Sequence, residues 1–215
     1  MNLLVVTGVF PPDSGGPATY LENLTRSLHR EGWNIRVITT GSQTDPGASS
    51  EFPFPVYRVP KRFFVRTPRS LSAILRNRGW ADRIYLNGLE YDTTLATVFS
   101  SIPIIQKVVC DRSWERAVSN GRLVDLESFQ NEDHGLVTGL ERAAQKYVIR
   151  RSDRIIVPSR YLSGILEGWG ISGSKISVIH NGAYPPEKLP EETIEWPGSG
   201  LKILLAGRVI PLKRF

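Results

Sequence analysis

Cysteine is nearly absent from this 215-residue chain. Cys110 is the only one, which excludes an internal disulfide framework and a thiolate zinc cluster and fits a reducing compartment. Histidine occurs three times, as His29, His134 and His180, and no two are spaced as a metal-binding pair. No metal site is expected. Long apolar runs are lacking too; each is cut by charge, Gly or Pro before it could span a bilayer. Met1–Phe10 is apolar but has no basic leader or small-residue cleavage site, and it runs into Pro11-Pro12, so it reads as a first strand rather than a signal peptide. The loop after that strand is not Gly-x-Gly-x-x-Gly followed by an acidic residue, which counts against an NAD enzyme. It has no Gly-Lys-Ser/Thr either, so it is not a P-loop.

What remains is globular. Hydrophobic residues make up 40% and charged residues 22%, too apolar for a chain disordered throughout. The net charge of +6 selects no partner by itself; it admits nucleic acid, an anionic membrane surface or phosphorylated substrates. Short apolar runs at Leu3–Val6, Ile35–Thr39, Val56–Val59, Arg83–Asn87, Ile104–Cys110, Arg154–Val157 and Ile176–His180 read as strands. Between them, helical spacing recurs. Leu21, Leu24 and Leu28 mark one helix, and Leu71, Ile74 and Leu75 a second. A further helix is expected over about 90–99. Leu140, Ala143, Ala144, Tyr147 and Val148 form a strong apolar face, and another helix is expected over about 160–168. Residues 41–55 read as loop, and 111–135 are polar without clear periodicity. Alternating strands and helices predict an α/β fold, a Rossmann-like parallel sheet with helices on both faces and right-handed connections.

Past Gly182 the composition changes. Residues 183–200 hold four prolines and four glutamates and read as a linker or long surface connection. Leu201–Ala206 then reads as a strand, either the last of one domain or the first of another.

Four segments in this order resemble a known family. They are Phe10-Pro11-Pro12 with Gly15-Gly16 and a helix, Ser152–Ser159, Lys175–Gly182, and Gly207–Lys213. Together they resemble the amino-terminal half of a retaining glycosyltransferase of the two-Rossmann-domain (GT-B) architecture, in family 4 (glycosyl transferase group 1). The resemblance implies an acceptor-side domain over 1–182, a linker over 183–200, and the first strand and basic loop of a truncated donor-binding domain over 201–215. It implies transfer of a sugar from a nucleotide-diphosphate sugar to a hydroxyl acceptor, a saccharide or lipid-linked saccharide, with retention of configuration. The part present here is expected to be inactive alone. The expected setting is cytoplasmic, peripheral on the inner face of the membrane.

Roles follow for particular residues. Glycines permit a tight loop and close approach of a ligand, and the helix after them offers free N–H groups and a positive pole. In the family the loop matching Gly15-Gly16 approaches the donor diphosphate or the reacting sugar. Cations matching Arg208 and Lys213 hold the diphosphate, where negative charge grows as the sugar bond breaks. The match departs at Arg214, where the family usually has glycine. Cys110-Asp111-Arg112-Ser113-Trp114-Glu115 resembles a subgroup pattern Gly-Asp-x-x-Trp-Glu with Cys110 in place of glycine. Asp111 and Glu115 are the candidate catalytic residues, contacting acceptor hydroxyls; the alternative is a structural role for both. No organic cofactor is implied. The stretch 61–78 carries Lys61, Arg62, Arg66, Arg69, Arg76 and Arg78 with Phe63-Phe64 and no acidic residue. It suits an anionic membrane surface, or is simply a solvated basic face; no nucleic-acid motif accompanies it. A non-catalytic carbohydrate-binding or membrane-docking module is the alternative to the transferase.

Overall fold

A computed structural model of the chain describes residues 1–41, 51–182, 200, 201 and 203. It contains two compact units, Met1–Val109 with Arg142–His180, and Cys110–Glu141 with Asn181–Phe215. The linker expected over 183–200 and the strand expected from Leu201, with Arg208 and Lys213, lie outside the described residues except for Gly200, Leu201 and Ile203.

The first unit is built on seven parallel strands in the order β3-β2-β1-β4-β5-β6-β7. In chain order they are β1 (Asn2–Thr7), β2 (Asn34–Gly41), β3 (Val56–Pro60), β4 (Arg83–Asn87), β5 (Ile104–Lys107), β6 (Arg154–Val157) and β7 (Ile176–Val178). The helices around them are α1 (Gly16–Arg30), α2 (Phe63–Arg78), α3 (Glu90–Ala96) and α7 (Arg160–Gly168). Successive strands add outward from β1 to β3. The chain then returns to the other side of β1 with β4 and adds outward again. The order reverses between β1 and β4.

Leu3, Leu4, Val5 and Val6 are all at most 2% exposed, because both faces of β1 are covered. One face joins Leu3 and Val5 to Leu21 of α1, Ile35, Val37, Phe52 and Phe54. The other joins Leu4 and Val6 to Ile38, Ile74 of α2, Ile84 and Ala96 of α3. Farther along the sheet, Ile155 and Val157 pack with Leu162 and Leu166 of α7 and with Trp169. The expected fold is therefore the one found.

Several boundaries differ from expectation. β5 stops at Lys107 rather than Cys110: its neighbour β6 ends at Val157, and the next residue, Pro158, has no N–H to extend the ladder. α3 ends at Ala96, where the Thr97 hydroxyl turns back to the Thr93 carbonyl at 2.8 Å. The stretch expected to be loop includes Phe52 and Phe54, which are core residues.

The second unit contains α4 (Arg112–Ser119) and α5 (Leu126–Asn131), short helices in the stretch without periodicity. Asp111 and Asp125 cap them, and Val118, Val124 and Phe129 form their own small core. The longer α6 (Leu136–Arg151) follows. Its apolar positions do not all face inward: Val148 is buried, but Leu140 and Tyr147 are exposed, while Arg142 and Gln145 are buried.

Candidate functional site

In an open parallel sheet, ligands bind beyond the carboxyl ends of the strands where the strand order reverses. Here that point is the edge formed by Thr7-Gly8 after β1 and Asn87-Gly88 after β4. The two loops touch. Gly88 has φ +139°, and a Cβ placed there would lie 2.3 Å from the Gly8 nitrogen, so only glycine fits. The Thr7 hydroxyl donates to the carbonyl of Asn87 at 3.1 Å and ties the loops together. Leu89, next in line, holds a left-handed φ of 54°. That backbone is costly for a side chain with a Cβ and marks a locally strained turn at the crevice.

The loop from β1 to α1 forms the near wall. Pro11-Pro12 is a cis peptide, and Gly15, at φ 140°, is the N-cap of α1. That cap has no side-chain hydrogen bond, and the first turn carries no acidic residue. The helix therefore begins with uncapped N–H groups and an unneutralised positive pole, in a place reached past two exposed glycines. Gly16 leaves nothing within 4 Å of where its Cβ would be. The Gly15-Gly16 site of the sequence reading stands at the reversal point of the sheet.

Side chains with no obvious signal in the sequence fix this wall. Arg58 of β3 donates to the Pro11 carbonyl. Lys61 pairs with Asp13 at 3.0 Å, and Thr40 donates to the Gly8 carbonyl at 2.7 Å. Spacing could not reveal them, because their partners are 47, 48 and 32 positions away in sequence.

The predicted pair Asp111 and Glu115 lies in the second unit. Asp111 is fully buried, and its Oδ1 accepts from the backbone N–H groups of Ser113 at 3.0 Å and Trp114 at 3.2 Å. Its Oδ2 accepts from the Gln130 amide at 2.9 Å. This is the arrangement of an N-cap that also joins α4 to α5. Glu115 is half-buried, and its Oε2 accepts from the Cys110 thiol at 3.1 Å. Burial, then the bond and charge of Glu115, push the Cys110 thiol far up, so it stays protonated. The pair Cys110 and Glu115 is thus a hydrogen-bonded couple, not an activated nucleophile.

Each histidine has its own neighbour. His29 sits edge-on to Phe54 near the end of α1, His134 lies against Phe129, and His180 Nδ1 is 2.8 Å from the Pro158 carbonyl. Among the described residues no group of three or more His, Cys, Asp or Glu side chains could hold a metal ion. No helix of the described residues is long and apolar enough to cross a membrane. An open cavity lined by Arg83, Pro103, Ile105, Asp153 and Arg154 lies near the starting ends of β4, β5 and β6, opposite the crevice. The spacing Gly168-x-Gly170-x-x-Gly173 falls at the end of α7, where no strand feeds it, so it is not a dinucleotide loop.

Comparison with known proteins decides what this scaffold is. The model of Glycosyltransferase Family 4 matches residues 14–185, most of the chain. The chain belongs to this family. No curated protein matches it. Solved structures share the fold at low identity. The Anabaena protein Alr3699/HepE in complex with UDP and glucose aligns with a TM-score of 0.56 at 15% identity, over 85% of this chain and 45% of its own. A UDP-GlcNAc 2-epimerase from Methanocaldococcus jannaschii aligns at 0.55 and 16%, over 84% and 46%. The chain thus spans less than half the length of these structures. The sheet is the Rossmann-like unit of GT-B amino-terminal domains.

Proposed function

We propose that this family 4 domain is the acceptor-side half of a retaining glycosyltransferase. The activity moves a sugar from a nucleotide-diphosphate sugar to a hydroxyl of a saccharide or lipid-linked saccharide. The observation that carries this reading is the crevice at the reversal point of the sheet. It is bordered by exposed glycines and by a helix start that no acidic side chain neutralises. Such a wall lets a sugar diphosphate approach the backbone closely and meets its charge without a metal.

The chemistry divides as follows. Arg208 and Lys213, outside the described residues, hold the diphosphate and stabilise the charge that develops as the glycosidic bond breaks. The Gly15-Gly16 loop bounds the reacting sugar on this side. The leaving phosphate oxygen takes the acceptor proton on the same face, which retains configuration without a glycosyl-enzyme intermediate. The protein's work is orientation and charge stabilisation. Glu115, half-buried, is the more accessible of the two acidic residues and the one proposed to meet an acceptor hydroxyl. Asp111 holds the turn that presents it.

The start of α2 is the proposed membrane contact. Phe64 is 90% exposed, beside exposed Lys61, Arg62 and Arg69. Cations at the positive pole of a helix repel it, and an anionic lipid surface relieves that repulsion while covering the ring.

The test is a transfer assay on the enzyme carrying both halves, with a panel of nucleotide sugars beginning with UDP-glucose. Transfer to a hydroxyl acceptor with retained anomeric configuration is expected, and none from this chain alone. Binding of acceptor without transfer by the two-domain protein would instead establish a non-catalytic module.

A further inference from the structure

Lys107 is the last residue of β5 and is only 4% exposed. An ammonium is expensive to bury, and an aliphatic side chain would fill a core position at less cost. Its placement is specific. Tyr85 and Ile105 are register partners on β4 and β5 and both belong to the α1 face of the sheet; Lys107, two residues on, faces the same way. Its Nζ lies 3.5 Å from the centroid of the Tyr20 ring, on α1. The Tyr20 and Tyr85 hydroxyls share a hydrogen bond of 3.0 Å. Burial, then the Tyr20 hydroxyl, push the Tyr85 phenol up, so Tyr85 keeps its proton in this bond. The three side chains thereby connect β5, β4 and the second turn of α1.

That turn is bonded to the first, which starts at Gly16 after the N-cap Gly15. Thr19 N–H bonds to the Gly15 carbonyl at 3.1 Å. With no capping side chain of its own, the first turn of α1 takes its position from neighbours. From the β3 side Arg58 and Lys61 hold the loop. From the β5 side the hold passes through Tyr20. We propose that Lys107 is a positioning residue for the crevice: its ammonium, stacked on the Tyr20 ring, fixes the first turn of α1 and with it the Gly15-Gly16 wall. The use of that wall for a diphosphate rests on the function proposed above; the positioning itself does not.

Hydrogen exchange and pyrophosphate titration, both followed on backbone amides by NMR, separate the two. In Lys107→Met, which keeps bulk on the ring and removes the charge, the amides of Thr19, Tyr20 and Leu21 should exchange roughly tenfold faster, the scale of a desolvated cation–π contact. Amides of α7 should be unchanged. Lys107→Arg should restore the slow exchange, since a guanidinium stacks equally well. Tyr20→Leu should reproduce the Lys107→Met effect and replaces it if that variant does not fold. Pyrophosphate should shift the Gly16 and Ala18 amides of the wild type, with several-fold weaker binding in Lys107→Met. Equal first-turn exchange in wild type and Lys107→Met, or identical behaviour of the Met and Arg variants, overturns the positioning role. Faster exchange in Lys107→Met with no pyrophosphate response in the wild type leaves the positioning role standing and refutes the anion-binding reading of the crevice.

Discussion

Adding one methyl group at Gly88 should unfold the crevice. A Cβ there would sit 2.3 Å from the Gly8 nitrogen and 3.1 Å from the Gly8 Cα and the Thr7 carbonyl carbon. All three are backbone atoms at the end of β1, which cannot swing aside as a side chain can. The φ of +139° adds strain for any residue with a Cβ, of order 1–3 kcal/mol. Forcing apart packed atoms adds about 1–3 kcal/mol more. Gly88→Ala should therefore lose about 2–6 kcal/mol of stability. For a domain of this size each kcal/mol lowers Tm by about 2–4 °C, so a drop of about 4–24 °C is expected in thermal unfolding followed by circular dichroism. Gly16→Ala is the matched control, because its Cβ would meet nothing within 4 Å. It should leave Tm unchanged or raise it slightly, as Gly to Ala within a helix does. In the two-domain enzyme the same methyl should reduce transfer, since it stands where the ligand approaches. A Tm for Gly88→Ala within about 2 °C of the wild type would refute the close approach of the two loops.

Other consequences are equally direct. Asp111→Ala removes an N-cap worth about 1 kcal/mol and the bond from the Gln130 amide to its carboxylate, worth about 1.5–3 kcal/mol more, measurable by urea unfolding; an unchanged midpoint would return Asp111 to the surface. Burial raises the Asp92 carboxyl, against the opposing effects of Arg66, Ser70 and Thr67. The folded state therefore holds its proton to higher pH than the unfolded chain, and stability falls as pH rises through the window just above the ordinary carboxylate value. Asp92→Asn should lack that fall, so its Tm relative to wild type should increase from pH 3 toward neutrality; a constant difference would contradict the burial effect. Arg62→Glu with Phe64→Ser should abolish flotation with phosphatidylglycerol vesicles, and equal flotation of wild type and variant would remove α2 from any membrane contact.

The sheet was legible because its inner strands, β1 above all, are buried on both faces. Leu3–Val6 and Ile155–Val157 are continuous apolar runs, and the Gly and Pro residues between runs mark the turns. Gly15-Gly16 was legible as the turn into α1, where Gly15 holds a φ of 140° that favours glycine. The outward face of α6 was not legible. Periodicity reports that Leu140, Tyr147 and Val148 share a helix, but neighbours distant in sequence decide which side is covered, and here they cover Arg142 and Gln145. The helices α4 and α5 were hidden because capping carboxylates at Asp111 and Asp125 hold them as much as an apolar stripe does. Lys107 and Tyr20 carry no signal at all until β5 and α1 are brought together.

We propose that the crevice between β1 and β4 serves transfer from a nucleotide sugar. The most direct measurement is the anomeric configuration of the product formed by the two-domain enzyme, read by NMR, for wild type and Gly16→Ala. A glycoside of retained configuration is expected from the wild type, with a large loss of turnover in a normally folded Gly16→Ala. Full turnover in Gly16→Ala, or an inverted product, would contradict it.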